Sequence, residues 1–185
     1  MRYVLGMDVS TSVVGFAVMD LDMKLKAYDK IKFKSDLSLE ERAEFVRNKV
    51  KHFNQYYFID SVYVEQPAML FGRGKTTANT LAKLQRFNGM CCYVVYEELK
   101  LIPGLLHANT ARKKMNIKVP RNVKNKKHYI IAEVVKKYPN FTFNLTRYGN
   151  PQPGTDDMAD AIVVAYAGVS IENEEENVTE GKATK

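Results

Sequence analysis

The stretch GTDDMADAIVVAY, residues 154–166, sets Asp156, Asp157 and Asp160 at the head of an otherwise apolar segment. A carboxylate near a helix N-terminus caps free N–H groups and complements the helix dipole. Three so close together repel one another, and any that face the protein need a counter-charge. Asp157 and Asp160 lie one helical turn apart and share a face; Asp156 with Asp160, at i,i+4, is the alternative pair. Two further acids end apolar runs: Asp8 in LGMDVSTS and Glu65 in VYVEQP. An ionised group ending a buried strand is costly unless something pairs with it. If the two strands are parallel neighbours, their C-terminal ends open at one edge of the sheet, where α/β ligand sites lie. Two divalent cations about 3.5–4 Å apart would neutralise four converging carboxylates and accept the oxygens of a phosphodiester. Magnesium suits such a hard oxygen set and keeps water in its shell. Arginine is the competing counter-charge, with Arg147 nearest in sequence, but one cation does not balance four acids.

A second group of residues is basic. ARKKMNIKVPRNVKNKKH, residues 111–128, carries Arg112, Lys113, Lys114, Lys118, Arg121, Lys124, Lys126 and Lys127 and no acid. Such a segment binds phosphates through counterion release, blind to base sequence, and positions duplex arms without reading them. Lys126 is also a candidate to stabilise charge developing on a phosphorane. GRGKTT, residues 72–77, adds Arg73 and Lys75 as phosphate contacts. It echoes a nucleotide-binding P-loop, but Met69 stands where that pattern needs its first glycine.

The chain has 185 residues and a net charge of +7. Residues 169–185 hold five glutamates against two lysines, a net of −3, which leaves +10 on the remainder. A basic body of that size points to a polyanionic partner, most simply nucleic acid. No apolar run is long enough to span a bilayer, and Asp8 interrupts the N-terminal segment as no signal peptide would allow. The two cysteines, Cys91 and Cys92, are adjacent; they read as reduced thiols, which with the absence of a span suggests the cytoplasm. His52, His107 and His128 are too scattered for a zinc motif. Tyr56, Tyr57 and Phe58 read as core residues rather than base-stacking ones.

The elements that would position the acids follow from periodicity. Residues 3–8 and 13–20 read as a hairpin, with a third strand over 26–33. Ser38 and Glu41 form a capping box that opens an amphipathic helix through Tyr57. A strand over 60–67 stops at a proline, and the longest helix runs over 76–98. A short strand covers 100–107, basic sequence without clear period follows, and helices cover 128–138 and 156–168. Residues 169–185 have no apolar face and read as a disordered acidic tail. The order describes one α/β domain, residues 1–168, with a mixed five-stranded sheet flanked by helices.

LGMDVSTSVVGFAV, VYVEQP, HANTARKK and DDMADAIVVAYAG, in this order, resemble the RuvC-type Holliday junction resolvases, above all the branch encoded by lactococcal bacteriophages. The resemblance covers residues 1–168 and implies a ribonuclease-H-like fold. It implies that Asp8, Glu65, Asp157 and Asp160 are the catalytic, metal-binding acids, holding two Mg2+ ions with Mn2+ as a substitute. It also implies a homodimer through the helix over 76–98, matching the two-fold symmetry of a four-way junction. The expected activity is paired nicking of Holliday junctions and other branched DNA in the host-cell cytoplasm, by attack of a metal-held water. A catalytically silent DNA-structure-binding protein of the same fold is the alternative. The first motif departs from the family's usual aspartate-proline-glycine, reading Asp8-Val9-Ser10. The family's junction-wedging aromatic falls on Ala68, with Phe71 nearby, and its basic loop residues fall on Lys126 and on Lys114 or Met115.

Overall fold

The computed structural model describes residues 2–67 and 77–183. Three strands come first, β1 (Tyr3–Val9), β2 (Val13–Asp20) and β3 (Leu25–Lys32), followed by helix α1 (Leu39–Tyr57). Then come β4 (Ile59–Glu65), α2 (Ala78–Leu99), β5 (Gly104–Leu106), α3 (Ala108–Lys114), α4 (Lys126–Lys137) and α5 (Thr155–Ala183). The sheet order is β3-β2-β1-β4-β5. β1 pairs antiparallel with β2 and parallel with β4, so the sheet is mixed and β1 is its central strand.

Alternation along β1 divides the core into two layers. Leu5, Met7 and Val9 join Val14, Phe16 and Val18 against α1 and α2, on residues such as Val46, Val50, Phe87 and Cys91. Val4, Ala17 and Met19 pack on the other face against α4 and α5. β2 is buried throughout, as a strand covered on both faces must be. The predicted capping box is present: Glu41 N–H donates to Ser38 Oγ and Ser38 N–H to Glu41 Oε2. It satisfies two otherwise orphaned donors at the start of α1, and loss of such a cap costs about 1 kcal/mol.

Three elements differ from the sequence expectation. β5 is only three residues long, because Lys100 closes α2 in the left-handed region at φ 58° and Pro103 has no N–H for a ladder. The segment after it contains α3, whose signal was Ala108, Ala111 and Met115 at spacings of three and four; Ala111 and Met115 are buried. α5 does not stop near Gly168 but continues to Ala183. The acidic extension has partners rather than an apolar face: Arg2 pairs with Glu172 and Glu176, and Lys114 with Glu174. Tyr63 Oη donates to Glu172 and Asn173 Nδ2 to the Leu21 carbonyl.

Tyr56 and Phe58 are not core residues. They are 70% and 77% exposed, because α1 ends there and Phe58 itself takes the left-handed cap at φ 46°.

Candidate active site

Asp8 lies near the C-terminal end of β1 and Glu65 ends β4, its parallel neighbour. The two carboxylates therefore emerge at one edge of the sheet. α5 crosses this edge with its first turns, seated by two glycines. A Cβ on Gly6 would stand 2.4 Å from the Ala165 nitrogen, and one on Gly15 2.1 Å from the Asp157 carbonyl oxygen. Gly15 is the register partner of Asp8. The helix backbone thus rests directly on the strands that carry the site, and Met158 and Ala159 are buried between the acids.

The electrostatics are those of crowded like charges. Burial, then the charges of Glu65, Asp160, Asp157 and Asp156, holds Asp8 well above the ordinary carboxylate range. Glu65 is pushed up to about 7 by burial and by Asp160, against the opposing pull of Arg112. Asp157 is pushed up to about 6 by burial and by Asp156. Burial raises Asp160 as well, although Arg112 works against it. For Asp156 the burial effect is outweighed by a hydrogen bond from Lys127, and its carboxyl stays below the usual range.

The four predicted acids from three distant segments are thus electrostatic neighbours, while Asp156 is set apart by its lysine. Arg147 is not the counter-charge: its guanidinium stacks on Tyr148, 4.6 Å from the ring centre. That role falls to Arg112 of α3, whose Nη2 lies 3.1 Å from Asp160 Oδ1. Sequence reading grouped Arg112 with the DNA contacts; the buried period of α3 is the signal that turns it toward α5. Lys127, the next residue after Lys126, makes the contact with Asp156.

The donor set is all oxygen and its charge is unbalanced, which fits hard divalent cations. Among the described residues no three such side chains are already closed into a metal-holding cluster; Arg112 and Lys127 engage two of the five acids.

Beside the acids lies a cleft of about 350 Å³, lined by Arg112, Lys113, Lys118, Arg121 and Lys126 and by no acid. Lys114 points elsewhere, to Glu174. Lys124 is exposed. Arg73, Lys75, Ala68 and Phe71 lie outside the described residues.

The five-stranded mixed sheet with helices on both faces is a fold of the ribonuclease-H-like class. Within that class the chain is similar to RuvC of Thermus thermophilus, with a TM-score of 0.61 and 16% identity over 89% of this chain and 92% of that one. The same protein in complex with Holliday junction substrate gives 0.60 and 15%, over 90% and 92%. The yeast mitochondrial Holliday junction resolvase Ydc2 gives 0.56 and 13%, over 90% and 77%. No protein-family model and no curated protein matches the sequence. No helix among the described residues is long and apolar enough to cross a membrane.

Proposed function

We propose that this chain is a divalent-metal-dependent endonuclease that nicks branched DNA, four-way junctions in particular. The observation that carries the reading is the gathering of Asp8, Glu65, Asp157 and Asp160 at one sheet edge, each held above the ordinary carboxylate range by burial and by neighbouring acids. The likeness in fold to Holliday junction resolvases supports the choice of substrate.

Two Mg2+ ions, or Mn2+ in their place, held by these four acids would supply an activated water and neutralise the charge of the leaving oxygen. The remaining work belongs to the chain. Asp8 and Glu65 are fixed by the ladder of the central strands, and Asp157 and Asp160 by the seating of α5 on Gly6 and Gly15. Lys127 neutralises Asp156 and keeps it out of the ligand set. Arg112, Lys113, Lys118, Arg121 and Lys124 hold backbone phosphates, and Lys126 faces the charge that develops on the scissile phosphate. Arg73 and Lys75 add phosphate contacts along the arms, whereas Lys114 is committed to Glu174.

The same reading pairs two copies through α2. Tyr93 and Tyr96 on that helix are 61% and 46% exposed, more than an isolated apolar surface favours. Membership of the lactococcal phage branch rests on the sequence motifs, and with it action in the host-cell cytoplasm.

The test is a nicking assay on four-way, three-way and linear DNA with Mg2+ or Mn2+. The wild type is expected to cut the branched substrates and spare the linear one, while Asp8→Asn binds but does not cut. A wild type that binds four-way DNA and never nicks it in either metal is a DNA-structure binder instead.

A further inference from the structure

Arg112 belongs to two sites at once. Its Nη2 donates to Asp160 Oδ1 at 3.1 Å, and its charge also opposes the raised proton affinity of Glu65. The same guanidinium lines the acid-free cleft with Lys113, Lys118, Arg121 and Lys126. Its Nε is buried without a hydrogen-bond partner among the described residues. A guanidinium offers five donors in a fork that matches carboxylate or phosphate. Here only one arm of the fork is engaged by a carboxylate, and the cleft it borders gathers further positive charge with nothing to balance it.

The arrangement has a chemical consequence. While Arg112 neutralises Asp160, that carboxylate is a poor ligand for a cation, because a cation placed there would be repelled by the guanidinium. A phosphodiester seated in the cleft is a second anion within the reach of the same fork. We infer that Arg112 is a substrate-operated latch: a DNA backbone phosphate in the cleft draws Arg112 from Asp160 and releases that carboxylate to the divalent cation. Cation and DNA then bind cooperatively, and an empty enzyme holds its cations weakly. The inference rests on the metal-dependent reading above and adds the order in which its parts assemble. Cleft and acid pair are joined by one side chain, so the coupling needs no movement of α5.

Two measurements on the full chain test it. Calorimetric titration of Mn2+ without DNA reads the state of Asp160; fluorescence anisotropy of a labelled four-way junction, in EDTA or in saturating Ca2+, reads the coupling. In the wild type Ca2+ should tighten junction binding by about fivefold or more, the range of ordinary coupling between sites. Arg112→Gln should bind Mn2+ several-fold more tightly without DNA and lose most of the Ca2+ effect on the junction. Asp160→Asn should lose the Ca2+ effect as well. The double variant Lys118→Gln/Arg121→Gln touches the cleft but not Asp160. It should bind Mn2+ as the wild type does and bind the junction less tightly in both buffers. Equal junction affinity in EDTA and Ca2+, or unchanged Mn2+ affinity in folded Arg112→Gln, overturns the latch while a wild type that still nicks leaves the nuclease reading intact. A wild type that binds no Mn2+ and never nicks overturns both.

Discussion

The carbonyl oxygen of Asp157 occupies the space in which a side chain on Gly15 would begin, 2.1 Å from where a Cβ would stand. Gly15→Ala must therefore push the first turn of α5 off the sheet and carry Asp157 away from Asp8. Overpacking of this kind costs about 1–3 kcal/mol of stability. A displacement near 1 Å at a reacting centre can cost about 10²-fold in rate. Urea unfolding should report the first effect and single-turnover junction cleavage the second, with junction affinity retained. Cleavage at the wild-type rate would mean that α5 does not need this seat.

The pH dependence of stability has a definite sign. Glu65 titrates at about 7 and Asp157 at about 6 in the folded chain, against roughly 4 for free carboxylates. Between those values the folded form keeps protons that the unfolded chain has released, so these acids make stability fall as pH rises from about 4 to 7. Asp8→Asn removes part of that repulsion. Without metal, the variant should melt several degrees above the wild type at pH 7.5, with the gap narrowing toward pH 4. Added Mg2+ should raise the wild type more than the variant at pH 7.5. A gap that widens on acidification contradicts the crowding.

Asn88 is buried in α2, and its Nδ2 donates to the carbonyl of Glu65 at 3.1 Å. It anchors the end of β4 from the opposite layer. Asn88→Ala leaves a buried acceptor without its donor, a loss of about 1–3 kcal/mol. Thermal melting should fall, and kcat for junction cleavage should fall with little change in KM. Asn88→Asp, which places an acceptor against the carbonyl, should do worse than alanine in both assays.

The cleft lysines and the site lysine should separate in a salt titration. Alanine at Lys113 or Lys118 should weaken junction and duplex binding alike and lower the slope of log K against log salt by about one. Lys127 bonds to Asp156, so Lys127→Ala should change the slope less and the cleavage rate more.

Tyr93 and Tyr96 stand on the outward side of α2, beside Gly89, which has open space around it. Tyr93→Asp/Tyr96→Asp should convert a dimer into a monomer in sedimentation velocity. The monomer should nick a junction on one strand without the paired second cut. A wild type that sediments as a monomer at micromolar concentration would remove the basis for this pairing.

Much of this could be read from residue order. Continuous apolar runs with β-branched members gave the strands of the hairpin, Ser38 and Glu41 gave the start of α1, and Asp8 and Glu65 declared themselves by ending such runs. Their meeting required the parallel pairing of β1 and β4, which the sequence made plausible. What stayed hidden depends on partners far along the chain. Arg112 looks like one more cation in a basic run until α3 turns it onto Asp160. The extension of α5 has no apolar stripe, and its helical form draws on Arg2, Tyr63 and Lys114, each more than 55 positions away. The exposure of Phe58 follows from a backbone conformation that side-chain chemistry does not announce.

Because β1 is hydrogen-bonded on both sides, Asp8 has no freedom of its own. Inserting or deleting one residue there would turn every side chain of the strand to the opposite face and bury the carboxylate in an apolar layer. Length changes are correspondingly costly in the strand that carries Asp8 and in the stretch that buries Met115 and Ile117, and inexpensive over the mostly exposed residues 121–125. If the proposed function holds, divergent descendants would keep the strand and rewrite the exposed stretch, changing which DNA shapes they grip while the acids stay in place.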